Sequence, residues 1–530
     1  MMLLILASRI LGLIRNRLLA GTFGAGSELD IYNAAFALPD FIADFLITGA
    51  LTVSFIPIMT SLITKNREKE AEAVASTVLN VALLIFGLIG FIIIIFANSL
   101  SSFLFPGFSE DQIKEVVLLT RFIIFSELIL IVGSFFASIL QSHYRFIIPA
   151  LAPVAYNLGI IFGIYFFSER FGILGVVFGV ILGAFLHVLI QLPLIKRLNF
   201  GFKWIIALNN KGVKKIALLS LPRALTVGME QIKWLINLFL ASLLVTGSVS
   251  IIKFSVDLQN FPIGLFGITV ATAALPALSN EWVKNKQEEF KETFLSSLHQ
   301  ILFLSVPASI ILITLRIPVV RLTLGSGKFN WDDTVTTATT LSFFAVSVFA
   351  QSATLLIARA FYAMQNSSIP LRVAFTSLIL HALVGVFLIF LFSDVSYLAI
   401  TSSISSLFTF ITLLFILNKE VGGFDKNRLF LPMVKIFLAS FIMALLLYLP
   451  LHLKFEGTYV IDLIIDTTRT INLLLITLVV TIVGLFVYGV ICWYLKSDEL
   501  RAYINLFKSF KGWGKEFLVE PKSTETTVNP

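Results

Sequence analysis

The feature that most limits what this chain can fold into is the recurrence of apolar runs about 20 residues long, the length an α-helix needs to cross the hydrocarbon core of a bilayer. Such runs fall at approximately residues 2–22, 31–62, 76–98, 116–140, 146–168 and 171–195, then at 216–246, 250–280, 297–324, 336–363, 370–393 and 395–418, and finally at 430–452 and 471–495. Lipid offers no partner to a backbone amide, so runs of this length read as helices that satisfy their own hydrogen bonds. Composition agrees: 58% of the residues are hydrophobic, 13% are charged and the mean hydropathy is +0.95, outside the range of soluble globular domains. The expected fold is an all-α polytopic membrane protein with 14 transmembrane helices, as two pseudo-symmetric six-helix lobes plus two C-terminal helices. The expected divisions are an N-lobe over 1–195, an inter-lobe linker over 196–215, a C-lobe over 216–418, a two-helix segment over 419–496 and a polar cytoplasmic tail over 497–530.

The loops orient this arrangement. Lys and Arg number 23 after even-numbered helices and in the C-terminal segment, against 8 after odd-numbered helices, among which Lys253 is counted. Cytoplasmic loops carry the basic excess, so both termini are expected in the cytoplasm. The same bias accounts for the net charge of +8 without a nucleic-acid partner. The opening MMLLILASR has neither a basic n-region nor a small-residue cleavage site, so the first helix reads as part of the protein and not as a removable leader. The one cysteine, Cys492, lies in an apolar run and is expected to pack.

Six-plus-six helices predict an internal repeat, and three matches follow in order. Pro149 in RFIIPALAP corresponds to Pro370 in SSIPLRVAF, Arg9 in ASRILG to Arg223 in LPRALT, and Pro57 in SFIPIMTSL to Pro276 in AALPALSN. An even number of helices per lobe makes the repeats parallel. The linker KRLNFGFKWIIALNNKGVKK flanks an apolar centre with basic residues, which suits either an interfacial segment on anionic lipid or an ordinary tether.

The stretch from Ala7 to Ser61 carries Arg9, Arg15, Arg17, Asp30, Asp40, Asp44, Pro39 and Pro57. A charge at the bilayer centre costs about 2.5–3.5 kcal/mol if it faces lipid, so these groups are expected to face a polar interior. Arg9 and Arg15 are six apart, about 600° of helical rotation, with Gly12 and Asn16 near the same side. Asp40 and Asp44 share a helix face. Arg17 reads as an interfacial anchor. The remaining intramembrane charges are Arg223, Glu230, Lys233 and Asp257. Arg9 and Arg223, mirrored across the repeat, suit a phosphate-bearing substrate, because guanidinium offers paired donors and stays charged when desolvated. Glu230 and Lys233 are three apart and can neutralise each other; Glu230 and Asp257 are candidates for an ion site or gate.

Other chemistries find no support. LGSGKFN at 324–330 fails the phosphate-loop pattern in spacing and in its missing hydroxyl, so no ATPase is built in. The histidines at 143, 187, 299, 381 and 452 have no metal spacing. No cofactor, metal or catalytic constellation is expected.

The segments SRILGLIRNRLLAGTFGAGSELD, LPDFI, ITGALTVSFIPI, ILQSHYRFIIPALAPVAYNLGII and NFPIGLFGITVATAALPALS closely resemble the MurJ (MviN) family of lipid II flippases, in the multidrug/oligosaccharidyl-lipid/polysaccharide exporter superfamily. The resemblance runs from Ala7 to about Asn418. It implies a two-lobed carrier in the bacterial plasma membrane that moves undecaprenyl-pyrophosphate-linked disaccharide pentapeptide to the outer leaflet, with the last two helices forming a groove for the lipid tail. Membrane lipids and cell-wall synthesis enzymes are the further partners it suggests. The family's cavity arginines fall on Arg9 and Arg15, and its acidic residue after the FGAG turn on Asp30. Three positions depart. Asn16 stands where an acid is common, Ala43 where the second helix has an arginine, and Asp257 about where the eighth has one; Arg223 and Lys233 are candidates to restore the positive charge. The alternatives are another polyprenyl-linked glycan, a cationic solute favoured by Asp44 and Asp257, or a transport-inactive scaffold for wall synthesis.

Overall fold

The computed structural model describes residues 2–50, 55–198, 200–452, 454–455, 458–459 and 470–504. The chain forms α1 (Met2–Phe23), α2 (Ser27–Ala50), α3 (Ile56–Thr64), α4 (Glu68–Leu104), α5 (Glu110–Ser142), α6 (Ile147–Phe166), α7 (Ser168–Phe171), α8 (Ile173–Leu189) and α9 (Leu192–Arg197). After an extended linker come α10 (Lys211–Ser242), α11 (Ser248–Pro262), a π-helical segment (Ile263–Ile268), α12 (Thr269–Val283), α13 (Gln287–Thr314), α14 (Arg316–Thr323), α15 (Trp331–Ala345) and α16 (Val348–Ala363). The last elements are α17 (Ser368–Phe392), α18 (Ser396–Glu420), α19 (Lys426–His452), a hairpin of β1 (Lys454–Phe455) and β2 (Thr458–Tyr459), and α20 (Thr470–Tyr494).

Among the described residues ten helical stretches are long and apolar enough to span a membrane, and the bent pair α15–α16 makes up to eleven. The other three expected spans fall on α1, on α2 with α3, and on α10, which hold many of the intramembrane charges. The expected run at 297–324 divides into α13 and α14, and the linker is shorter than expected because α10 begins at Lys211. The expected tail is described only to residue 504.

Local chemistry explains several boundaries. Ser109 and Gln112 form a reciprocal capping box at the start of α5, and Asn330 with Asp333 does the same for α15, each satisfying amides that have no partner inside the helix. Pro262, which has no N–H, immediately precedes the π-helical turn, as expected where the regular hydrogen-bond ladder is broken. Pro149 and Pro370 both stand third in their helices, whereas Pro57 opens α3 and Pro276 lies inside α12.

Packing follows two patterns. Helices α6 and α8 approach backbone to backbone through Gly159 and Gly163 on one side and Gly179 and Gly183 on the other, where an added Cβ would collide with the facing main chain. Small residues spaced by four allow such contact in lipid, where helix association relies on close packing. Large buried side chains fill the rest: Phe290, Phe294 and Phe361 lie with Leu298, Met443 and Cys492 in one cluster joining α13, α16, α19 and α20. Another joins α1, α2, α5, α6 and α8 to α10, α11 and α15. That second cluster surrounds the polar site.

Candidate functional site

A cavity of about 180 Å³ lies between α1, α2, α5, α6, α10 and α11, with Arg15, Tyr32, Asp40, Glu127, Tyr156 and Asp257 among its walls. Helix periodicity brings the polar groups there: Asn33 and Asp40 line one face of α2, and Lys253 and Asp257, four apart, line one face of α11.

The cavity wall contains a continuous relay. Arg15 Nη1 donates to Asn157 Oδ1 at 3.2 Å, while its Nε and Nη2 donate to Asn16 Oδ1 at 3.2 and 3.0 Å. Asn16 Nδ2 donates to Asp257 Oδ2 at 3.0 Å, and Asp257 Oδ1 accepts from Lys253 Nζ at 2.7 Å. Asn157 Nδ2 is fixed by the carbonyls of Ser8 and Pro153. An amide at 16 joins a cation to an acid because it accepts through oxygen and donates through nitrogen. Asn16 and Asp257 are thus bonded to each other, and Lys253 supplies the cation. Lys253 lies within α11 and lines the cavity, which corrects its assignment to a loop.

Two further acids, Asp40 and Glu127, line the same cavity. Asp40 and Asp44 are the charged groups acting on Glu127. Asp44 Oδ2 accepts from Gln231 Nε2 at 2.5 Å. Glu127 is 6% exposed, and among the described residues it has neither a hydrogen bond nor an ion pair. No group of three or more His, Cys, Asp or Glu suited to a metal ion occurs among the described residues.

The other expected site residues lie elsewhere. The Arg9 guanidinium packs on the π-helical segment, so that a Cβ on Gly264 would collide with it. Asp30 caps α11: its carboxylate accepts from Gly247 N at 2.6 Å, Ser250 N at 2.8 Å and Ser250 Oγ at 2.6 Å, a favoured arrangement for an anion at a helix N-terminus. Gly247, at φ 98°, also touches Ala25, whose carbonyl would collide with any Cβ there. Arg17 donates to the carbonyls of Leu322 and Gly325 near the end of α14, and Ser326 Oγ returns a bond to its carbonyl. Arg223 lies within electrostatic reach of Tyr362 and Arg359, and Arg359 bonds the Ile268 carbonyl and Thr272. Glu230 accepts from Lys233 Nζ at 2.8 Å. Lys233, 7% exposed, also bonds Ser377 Oγ at 3.0 Å, in a network with Thr409, Ser405, His381 and Asn237.

Of the seven residues singled out from sequence, Arg15 and Asp257 line the cavity. Glu127, Tyr156, Asn157 and Lys253 were not singled out. Glu127 had a usable signal, being the one acid in the apolar run 116–140, where an ionisable group marks function by default.

A bundle of membrane-spanning helices around a buried charged cavity defines a carrier. Its fold matches a solved multidrug resistance MATE family transporter of the MOP superfamily in inward-facing conformation, at TM-score 0.63, 14% identity and 78% of this chain against 94% of that one. It matches more fully a structure described as lipid II flippase MurJ, inward closed conformation, at TM-score 0.76 and 24% identity, over 95% of this chain and 100% of the other. The family described as lipid II flippase MurJ covers residues 19–468. A probable lipid II flippase MurJ from Buchnera aphidicola subsp. Acyrthosiphon pisum is 30% identical over 461 residues, 85% of this chain and 89% of that protein. Another from Thermotoga maritima is 29% identical over 504 residues, 94% and 96% of the two chains. The chain belongs to the lipid II flippase MurJ family: it is a membrane transporter, not an enzyme.

Proposed function

We propose that this chain moves the cargo named in its family, lipid II, from the cytoplasmic to the outer leaflet of the bacterial plasma membrane by alternating access, with both termini cytoplasmic. The observation that carries this reading is the relay through Arg15, Asn16 and Asp257, which holds a guanidinium on the wall of a polar cavity. The headgroup pyrophosphate takes the guanidinium donors that bond Asn157 and Asn16 in this structure, since charge-assisted bonds to phosphate are stronger than those to a neutral amide. Arg9 and Arg223 serve the path to the cavity, and Lys233 holds the helices behind it. Residues 1–195 and 216–418 act as the two rocking lobes, 196–215 as their linker, and 419–496 as the surface for the polyprenyl tail. Cell-wall synthesis enzymes supply and consume the cargo.

A membrane potential is sufficient to drive the step. Moving a negative charge outward from an inside-negative cell gains about 2.3 kcal/mol per 100 mV, about 4.6 for two charges crossing the full field. The test is replacement of an essential lipid II flippase by this chain, read as lipid II exposed in the outer leaflet. Wild type restores exposure, and well-expressed Arg15→Ala does not. A wild-type chain that reaches the membrane and exposes no lipid II overturns the reading.

The cavity acids favour one second reading, in which the cavity takes a cationic group, either on the cargo or as a coupled ion. Glu127, without a bonded partner among the described residues, is the observation behind it. Transport retained unchanged in Glu127→Gln counts against it.

A further inference from the structure

The linker before α10 crosses α4 as an extended strap with two chemically distinct edges. Along one edge its backbone is fastened to a polar stripe on α4. Gly201 N donates to Glu72 Oε1 at 3.1 Å, Lys203 N to Ser76 Oγ at 3.1 Å and Ala207 N to Thr77 Oγ1 at 3.2 Å. Asn80 Nδ2 donates in turn to the carbonyls of Lys203 and Ile205 at 3.0 and 2.9 Å. The other edge follows from the two-residue period of an extended chain: Phe202, Trp204, Ile206 and Leu208 are 40%, 82%, 51% and 57% exposed, and the rings of Phe202 and Trp204 meet edge to face at 5.4 Å.

Four apolar side chains in a row, held outward by bonds at the alternate residues, require an apolar or amphipathic neighbour. The position of the strap identifies it. Glu72, Ser76 and Asn80 are spaced by four, and the same stripe continues as Leu84 and Leu88, which are 58% and 63% exposed on a helix apolar enough to span a membrane. One turn of helix rises about 5.4 Å, so the strap's contact with Asn80 lies one turn from the exposed apolar residues of α4. Residues 196–215 carry Lys196, Arg197, Lys203, Lys211, Lys214 and Lys215 and no acid, a charge pattern complementary to anionic headgroups. An aromatic and aliphatic row beside lysines is the composition of an interfacial anchor.

We infer that residues 201–208 form an interfacial strap, seated on α4 and inserted by Phe202, Trp204, Ile206 and Leu208 into the headgroup–acyl boundary of a leaflet containing anionic lipid. The cytoplasmic identity of that leaflet rests on the topology proposed above; the insertion does not. The strap fastens the chain between α9 and α10 to the bilayer surface, so that movement of α10 relative to α4 is taken up beyond residue 208.

The test uses the full chain in nanodiscs of phosphatidylcholine and phosphatidylglycerol, without cargo. The protein has six tryptophans, so the Trp204 signal is the difference between wild type and Trp204→Phe. That component is expected to lose most of its intensity to lipids brominated near the headgroup and little to aqueous iodide. Ile206→Asp, whose side chain faces outward, is expected to reduce the lipid quenching at least twofold with no change in thermal stability in detergent. A Trp204 component quenched by iodide and untouched by brominated lipid overturns the inference, as does undiminished lipid quenching in Ile206→Asp. Neither result bears on lipid II transport, so this inference and the proposed function fail separately.

Discussion

Two intramembrane polar assemblies in this protein use similar residues to opposite ends. Around Lys233 the donors and acceptors close on one another: the ammonium bonds Glu230 and Ser377, Ser377 also accepts from Thr409 and donates to the Ser405 carbonyl, and His381 bridges Ser405 and Asn237. Around Arg15 the bonds form an open chain along the cavity, and Glu127, which also lines it, has no bonded partner among the described residues. A closed network specifies packing, whereas an open one retains capacity for something else. The difference distinguishes a scaffold charge from a binding charge where residue type alone does not.

Six substitutions test this contrast, taken from the largest expected effect to the smallest. Arg15→Ala is expected to lower lipid II exposure by about tenfold to a hundredfold, the equivalent of one or two charge-assisted bonds to phosphate, while Lys233→Met lowers it much less. Equal losses, measured in the same depletion strain at matched expression, remove the distinction. Asp257→Arg is next: it sets a third cation beside Arg15 and Lys253, and exposure is expected to fall about tenfold. Adding Asn16→Asp returns a counter-charge and recovers most of the activity; a double variant no better than the single breaks the relay. Ser377→Ala removes one bond each from Lys233 and Thr409, which keep Glu230 and the Ser405 carbonyl, and is expected to destabilise the protein by about 1 kcal/mol, read as a lower unfolding temperature in detergent with unchanged affinity for lipid II. Glu127→Gln gives the smallest change. A buried carboxylate without a partner contributes no stability that an amide of similar shape lacks, so the unfolding temperature stays level or rises slightly, and a marked fall means that Glu127 is bonded after all.

Much of the architecture was legible in the sequence because helix placement in lipid is governed by run length and hydropathy, which are local properties. The runs over 76–98, 116–140, 370–393 and 395–418 each coincide with one long helix. The site was legible only in part. Arg15 stands out as a charge in an apolar setting, but the pairing of Asn16 with Asp257 joins residues 241 positions apart, and no periodicity reports such a contact. Lys253 was misplaced for a physical reason: next to a short helix connection, a lysine at the edge of an apolar run reads as solvated. Asp30 had a sequence signal of charge but none of purpose, since the amides it caps belong to another helix.

That cap has a consequence for how the carrier rests. Asp30 joins the start of α2 to the start of α11, beside the close approach of Gly247 to Ala25. If α2 and α11 separate at that end, α11 loses its cap, a change of about 1 kcal/mol, and a change of 1.4 kcal/mol is tenfold in population. Asp30 therefore weights the ensemble severalfold toward conformers in which α2 and α11 stay joined at that end.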